Sequence, residues 1–201
     1  MGAAINRSSL KHKTMAYTKV SIPKRTGGSP GAPSAKKPTI IAINVRDIET
    51  WPTRDANGVL LVGNIALKAS AKAIGIYATH STIKRNDGSE GDADAEGFNH
   101  NVVFDHPGNS LARDVFAQNN VSEDLILITQ GETPADTRVH GTPTNPMKMV
   151  VEEQDDNEAN KATFTFKSAL RTKYKSAHYR GTLPELADDA PEETGSTGSG
   201  I

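Results

Sequence analysis

Between Phe98 and Gln130 the spacing of apolar residues changes period twice, and no other stretch constrains the fold as tightly. Phe98, His100, Val102 and Phe104 alternate with Asn99, Asn101 and Asp105, the pattern of a strand with one buried face. His106-Pro107-Gly108 stops that strand, because Pro has no N–H to donate and Gly permits a tight turn. Asn109 or Ser110 can cap the helix that follows, near 109–119, which puts Leu111, Ala112, Val115 and Phe116 on one side. Leu125 to Ile128 is an apolar run of strand length, suited to a strand covered on both faces.

Around this unit the chain reads as strands in series. Ile41, Ile43 and Val45 alternate with Ile40, Ala42 and Asn44, and Trp51 is read as a cover over the core. Asn57-Gly58 is a hairpin signature, since a type I′ turn needs positive φ at both central positions. Val59–Leu67 is one strand or two, and Lys72–Ile83 is the next. Asn86–Gly97 has no large apolar side chain and is expected to be a long polar loop. Met147–Val151 and Ala162–Lys167 form a long hairpin with an exposed acidic tip, and Tyr179–Leu183 a last strand. The expected fold is mainly β, a sandwich or partly open barrel of about eight strands flanked by one α-helix. Residues 1–38 are a basic Pro/Gly-rich arm, 39–184 the core, and 185–201 an acidic Gly/Ser-rich tail. Met15 begins a plausible alternative start.

Composition removes several classes of function. With 23 basic and 24 acidic residues the net charge is −1, which argues against a general nucleic-acid binder. The absence of cysteine excludes disulfide and thiolate chemistry. No apolar run approaches the roughly 20 residues of a membrane helix. Asp92, Asp94 and Glu96 before Gly97 open like a calcium loop, but the twelfth position from Asp92 is Val103, where a bidentate Glu is required. They are read as an acidic solvated loop, with metal binding as the alternative. The six histidines show no metal-ligand spacing, and His100, on the apolar face of its strand, is read as a hydrogen-bonded core imidazole. No Ser lies in G-x-S-x-G and no glycine pattern cradles a phosphate. The aromatic and basic strip Tyr174, Lys175, His178, Tyr179 and Arg180 is read as alternating core and surface. Neither an enzyme nor a cofactor is expected.

The order of these elements, strands up to Ile83, the polar segment, the Phe98–Asp105 strand, the Ser110–Asn119 helix, Leu125–Gln130 and the terminal hairpin, resembles bacteriophage tail tube proteins. The wording of 97–130 and 141–183 is also similar to structural proteins of phages of Bacteroidetes hosts. The resemblance implies a virion protein, made in the bacterial host cytoplasm, whose sandwich domains join through sheet edges into rings, hexamers in that family. The rings stack into a tube that passes DNA without specific binding, and contact other tail proteins but no membrane. It implies assembly contacts through the arm residues Lys19, Lys24, Arg25, Lys36 and Lys37 and through the acidic residues Asp87, Glu90, Asp92, Asp94 and Glu96. An acidic inner surface would repel phosphates. Other classes compatible with the same strands are a capsid decoration or head–tail joining protein, a calcium- or carbohydrate-binding module, and a hydrolase with dispersed catalytic residues.

Overall fold

The computed structural model describes residues 19–189; the basic residues before Lys19 and the tail beyond Asp189 lie outside the described residues. Residues up to Ala32 group apart from Pro33 onward, and 19–32 contain no helix or strand. The second unit is mainly β, with strands over 43% of the chain and helices over 11%. Its strands are β1 (Thr39–Asn44), β2 (Ile48–Thr50), β3 (Thr53–Arg54), β4 (Leu60–Val62), β5 (Ala66–Leu67), β6 (Ile74–Tyr77), β7 (Lys84–Glu90) and β8 (Gly97–Pro107). Helix α1 (Leu111–Asn120) follows, then β9 (Leu125–Thr129), β10 (Arg138–His140), β11 (Met147–Asp155), β12 (Asn160–Ser168) and β13 (Ala177–Tyr179).

Beside a separate two-stranded antiparallel sheet, β2-β5, two larger sheets meet at one corner. The first has the order β6-β1-β9-β10-β13-β4-β3, antiparallel except where β13 runs parallel to β4. The second is the four-stranded antiparallel sheet β11-β12-β8-β7. They join where Leu125 of β9 pairs with Met147 of β11. One face of β1 and β9, with Ile40, Ala42, Leu125 and Leu127, packs on Phe104, Phe164 and Phe166 of the second sheet. Phe104 and Phe166 stack with ring centroids 5.9 Å apart, and Phe116 of α1 meets Phe164 edge-on at 5.7 Å. The opposite face, with Ile41, Ile43, Ile126 and Ile128, is covered by Leu61, Ile65, Val139 and Tyr179, and Trp51 packs at its margin. Leu125–Ile128 is thus covered on both faces, as its unbroken apolar run predicts, and β1 is too.

Three expectations need correction. The polar segment after Ile83 is a strand: β7 pairs with β8 from Lys84↔Val103 to Glu90↔Gly97, leaving only residues 91–96 as a turn. Gly91 sits at φ 122°, and a Cβ there would lie 2.5 Å from the Ala95 carbonyl oxygen. At the first hairpin only Gly58 has positive φ; Asn57 does not, and Asp55 Oδ1 instead accepts the N–H groups of Val59 and Leu60. The helix is capped by Ser110, whose Oγ accepts the Arg113 N–H at 3.2 Å, but of its apolar side only Phe116 packs on the core. Leu111 and Val115 are 60% and 49% exposed, while Arg113, Ala117 and Asn120 are buried. The buried Arg113 guanidinium donates to Gly108 O, Asn109 Oδ1 and Asp114 Oδ1 and lies 3.4 Å from Glu153. A charge held by that many acceptors can be buried, and its aliphatic stem packs like an apolar side chain.

Candidate functional site

Among the described residues, the four-stranded sheet ends in two rims without a strand partner. Phe98 exchanges both backbone bonds with Thr172, on the β12 side of β8, so Gly97, Asn99, Asn101 and Val103 face β7. Their β7 partners are Glu90, Gly88, Asn86 and Lys84, which leaves Arg85, Asp87 and Ser89 turning N–H and C=O to the outside. At the other side, Ala169 N–H donates to Pro146 O, so Lys148, Val150, Glu152 and Gln154 bond to β12. Met149, Val151, Glu153 and Asp155 then face outward, and among the described residues β11 has no sheet partner there beyond Met147. Because strand directions alternate, β7 and β11 run antiparallel at opposite rims of one sheet.

A buried polar cluster fixes β7 to the rest of the core. Arg85 donates to Asp136 Oδ2 at 2.7 Å and to the Asp136 carbonyl at 2.9 Å. Ser176 Oγ donates to Asp87 Oδ2 at 2.5 Å. His100, 1% exposed, accepts the Gly141 N–H at Nδ1 and therefore donates from Nε2 to Tyr174 O, the core imidazole its position predicts. His140, also 1% exposed, bonds Thr129 Oγ1 through Nε2, and among the described residues its Nδ1 has no partner, nor has Asp87 Oδ1. Burial lowers the affinity of both imidazoles for a proton, for His140 to a pKa of about 3. Through Arg85–Asp136 and Asp87–Ser176 the cluster clamps β7 to distant parts of the chain.

Of the acidic residues singled out from the sequence, Glu90 lies in β7 and accepts a bond from Asn99 Nδ2, while Asp87 points inward to Ser176. Asp92, Asp94 and Glu96 are exposed on the 91–96 turn. Among the described residues no three His, Asp or Glu side chains are grouped to hold a metal ion. Lys36 and Lys37 are tied to the core: Lys37 N–H donates to Gln130 O at 3.0 Å, and Lys36 Nζ bonds Ser34 and lies 3.9 Å from Asp136. Lys19, Lys24 and Arg25 belong to the separate N-terminal unit and are exposed. Tyr179 of the aromatic and basic strip is buried, donating to Thr182 O and accepting from Ile65 N–H.

Sequence reasoning missed Arg85, Arg113, His140 and β7 itself. Inward positions of β7 carry charge, so a test for alternating hydrophobicity cannot register them; the available signal was the unmatched length of β8. No helix among the described residues is long and apolar enough to cross a membrane. Comparisons with protein-family models, curated proteins and solved structures find no match.

Proposed function

We propose that this chain is a structural virion protein that assembles through its sheet rims into stacked rings, most simply a phage tail tube. The observation that carries this reading is the pair of open, antiparallel rims on one four-stranded sheet. Rotation about a ring axis keeps strand direction, so β7 of one copy meets β11 of the next as an antiparallel pair and the wall closes without mismatch. Exposed rims are hazards in a monomer, and closure satisfies them. Six copies of such a sheet, with strands about 4.8 Å apart, form a wall about 40 Å across, wider than a DNA duplex.

In such a ring the solvent face of the sheet lines the bore. It carries Lys84, Lys148, Lys161 and Lys167 against Glu90, Asp105 and Glu152, and Lys161 bonds Asp105 at 2.8 Å. That face is near neutral instead of acidic, so DNA would slide past balanced charge without the many phosphate contacts that make binding tight.

Ser89→Pro tests the reading. Ser89 turns its N–H away from β8, so Pro removes an outward donor while leaving the β7–β8 ladder intact. The variant should keep wild-type far-ultraviolet dichroism and lose ring formation by sedimentation velocity. Assembly at wild-type strength would overturn pairing through β7.

A further inference from the structure

A third open rim lies at the β6 end of the other sheet. Ala78 N–H donates to Pro38 O, so Ile74 and Ile76 bond to β1, and Ala73, Gly75 and Tyr77 turn outward. The chain near Leu186 takes both backbone groups of Ala73, through Glu185 O at 2.8 Å and Ala187 N–H at 2.7 Å, and then leaves the strand. Tyr77 O accepts from His106. Gly75 N–H, Gly75 C=O and Tyr77 N–H have no partner among the described residues. Beside this rim a groove of about 370 Å³ is floored by Ile74, Phe116 and Ala112 and edged by Asp188 and Asp189. Arg113, the base in its lining, is already held by Gly108, Asn109, Asp114 and Glu153.

The groove therefore asks for an extended segment with apolar residues on alternate positions and positive charge at its ends. Lys19-Val20-Ser21-Ile22-Pro23-Lys24-Arg25 has that pattern. Val20 and Ile22 are 73% and 95% exposed, and Pro23 holds Ile22 in the extended region. Docked there, its three bases would meet Glu185, Asp188 and Asp189, of which Lys72 already touches Glu185 at 3.1 Å and Asp188 at 3.9 Å with a single charge. The eleven peptide steps from Ile22 to Pro33 span about 36 Å when extended, enough to reach a neighbouring molecule. Beyond Asp189 the chain offers no alternating apolar residues, only Ala190, Pro191 and the terminal Ile201 among polar and small ones.

We propose that Lys19–Arg25 of one copy docks as an added strand on β6 of another, in the groove beside α1, and so links successive rings. This rests on the ring reading above. The chain has no cysteine, so an Ile22→Cys, Tyr77→Cys full-length variant treated with a short bismaleimide reports the contact directly. The expected product is a ladder of interchain dimers and higher species. Lys24→Glu with Arg25→Glu should reduce it about tenfold, and adding Asp188→Lys with Asp189→Lys should restore it. Products confined to single chains, through docking of a copy's own arm, would overturn the proposal, as would no product at all. Electron microscopy of the same sample separates the two claims: rings without interchain product defeat only the docking, and monomers without product defeat the ring reading as well.

Discussion

At His140 burial decides the protonation state. The ring is 1% exposed, and desolvation, opposed by Asp87 and reinforced by His100, Arg85 and Arg138, lowers its pKa to about 3. The unfolded chain has this pKa near 6.5, so between those values the unfolded state binds the extra proton. The stabilising contribution is complete above about pH 6.5 and drains away as the pH falls toward 3. His100 is shifted in the same direction by its own burial. The urea midpoint should therefore drop between about pH 7 and about pH 5, and His140→Leu should narrow that gap; an unchanged gap would show that the imidazole is not held neutral by the fold. His100 was legible because it lies on an obvious apolar face. His140 was not, because its three-residue strand gives no periodicity to read.

At the scale of elements, α1 shows where pattern reading succeeds and where it stops. Its cap and its end lie within a residue of the expected positions, because Ser110 and Pro107-Gly108 act locally. Ser110→Ala should cost about 1 kcal/mol of stability, measured by urea unfolding, with Ser110→Asp close to wild type. The buried face was misread because Arg113, held locally by Gly108 and Asn109 and from β11 by Glu153, takes an inward position while Leu111 and Val115 of the apolar stripe stay exposed. That stripe stays on the surface, where an apolar helix face suits contact between molecules. The β7 strand failed to register for a related reason. Its inward Arg85 and Asp87 are satisfied by Asp136 and Ser176, which lie far away in sequence, so the information that makes it a strand is not local.

For the whole molecule, the mainly β class, the single helix and the long terminal hairpin could be read from the sequence, because each rests on a run of alternating or uniform apolar residues. The junction of the two sheets at Leu125 and Met147 could not, nor the two rims it leaves open, since both depend on how non-adjacent strands are ordered. Those rims are the centre of the account. Cryo-electron microscopy of the purified full-length protein at millimolar concentration tests them most directly. Closed rings or stacked tubes whose inner wall is a continuous antiparallel sheet, with β7 of each copy against β11 of the next, are the expected result. A lone 21.4 kDa species at that concentration, or rings joined through some other surface with both rims still bare, would contradict it.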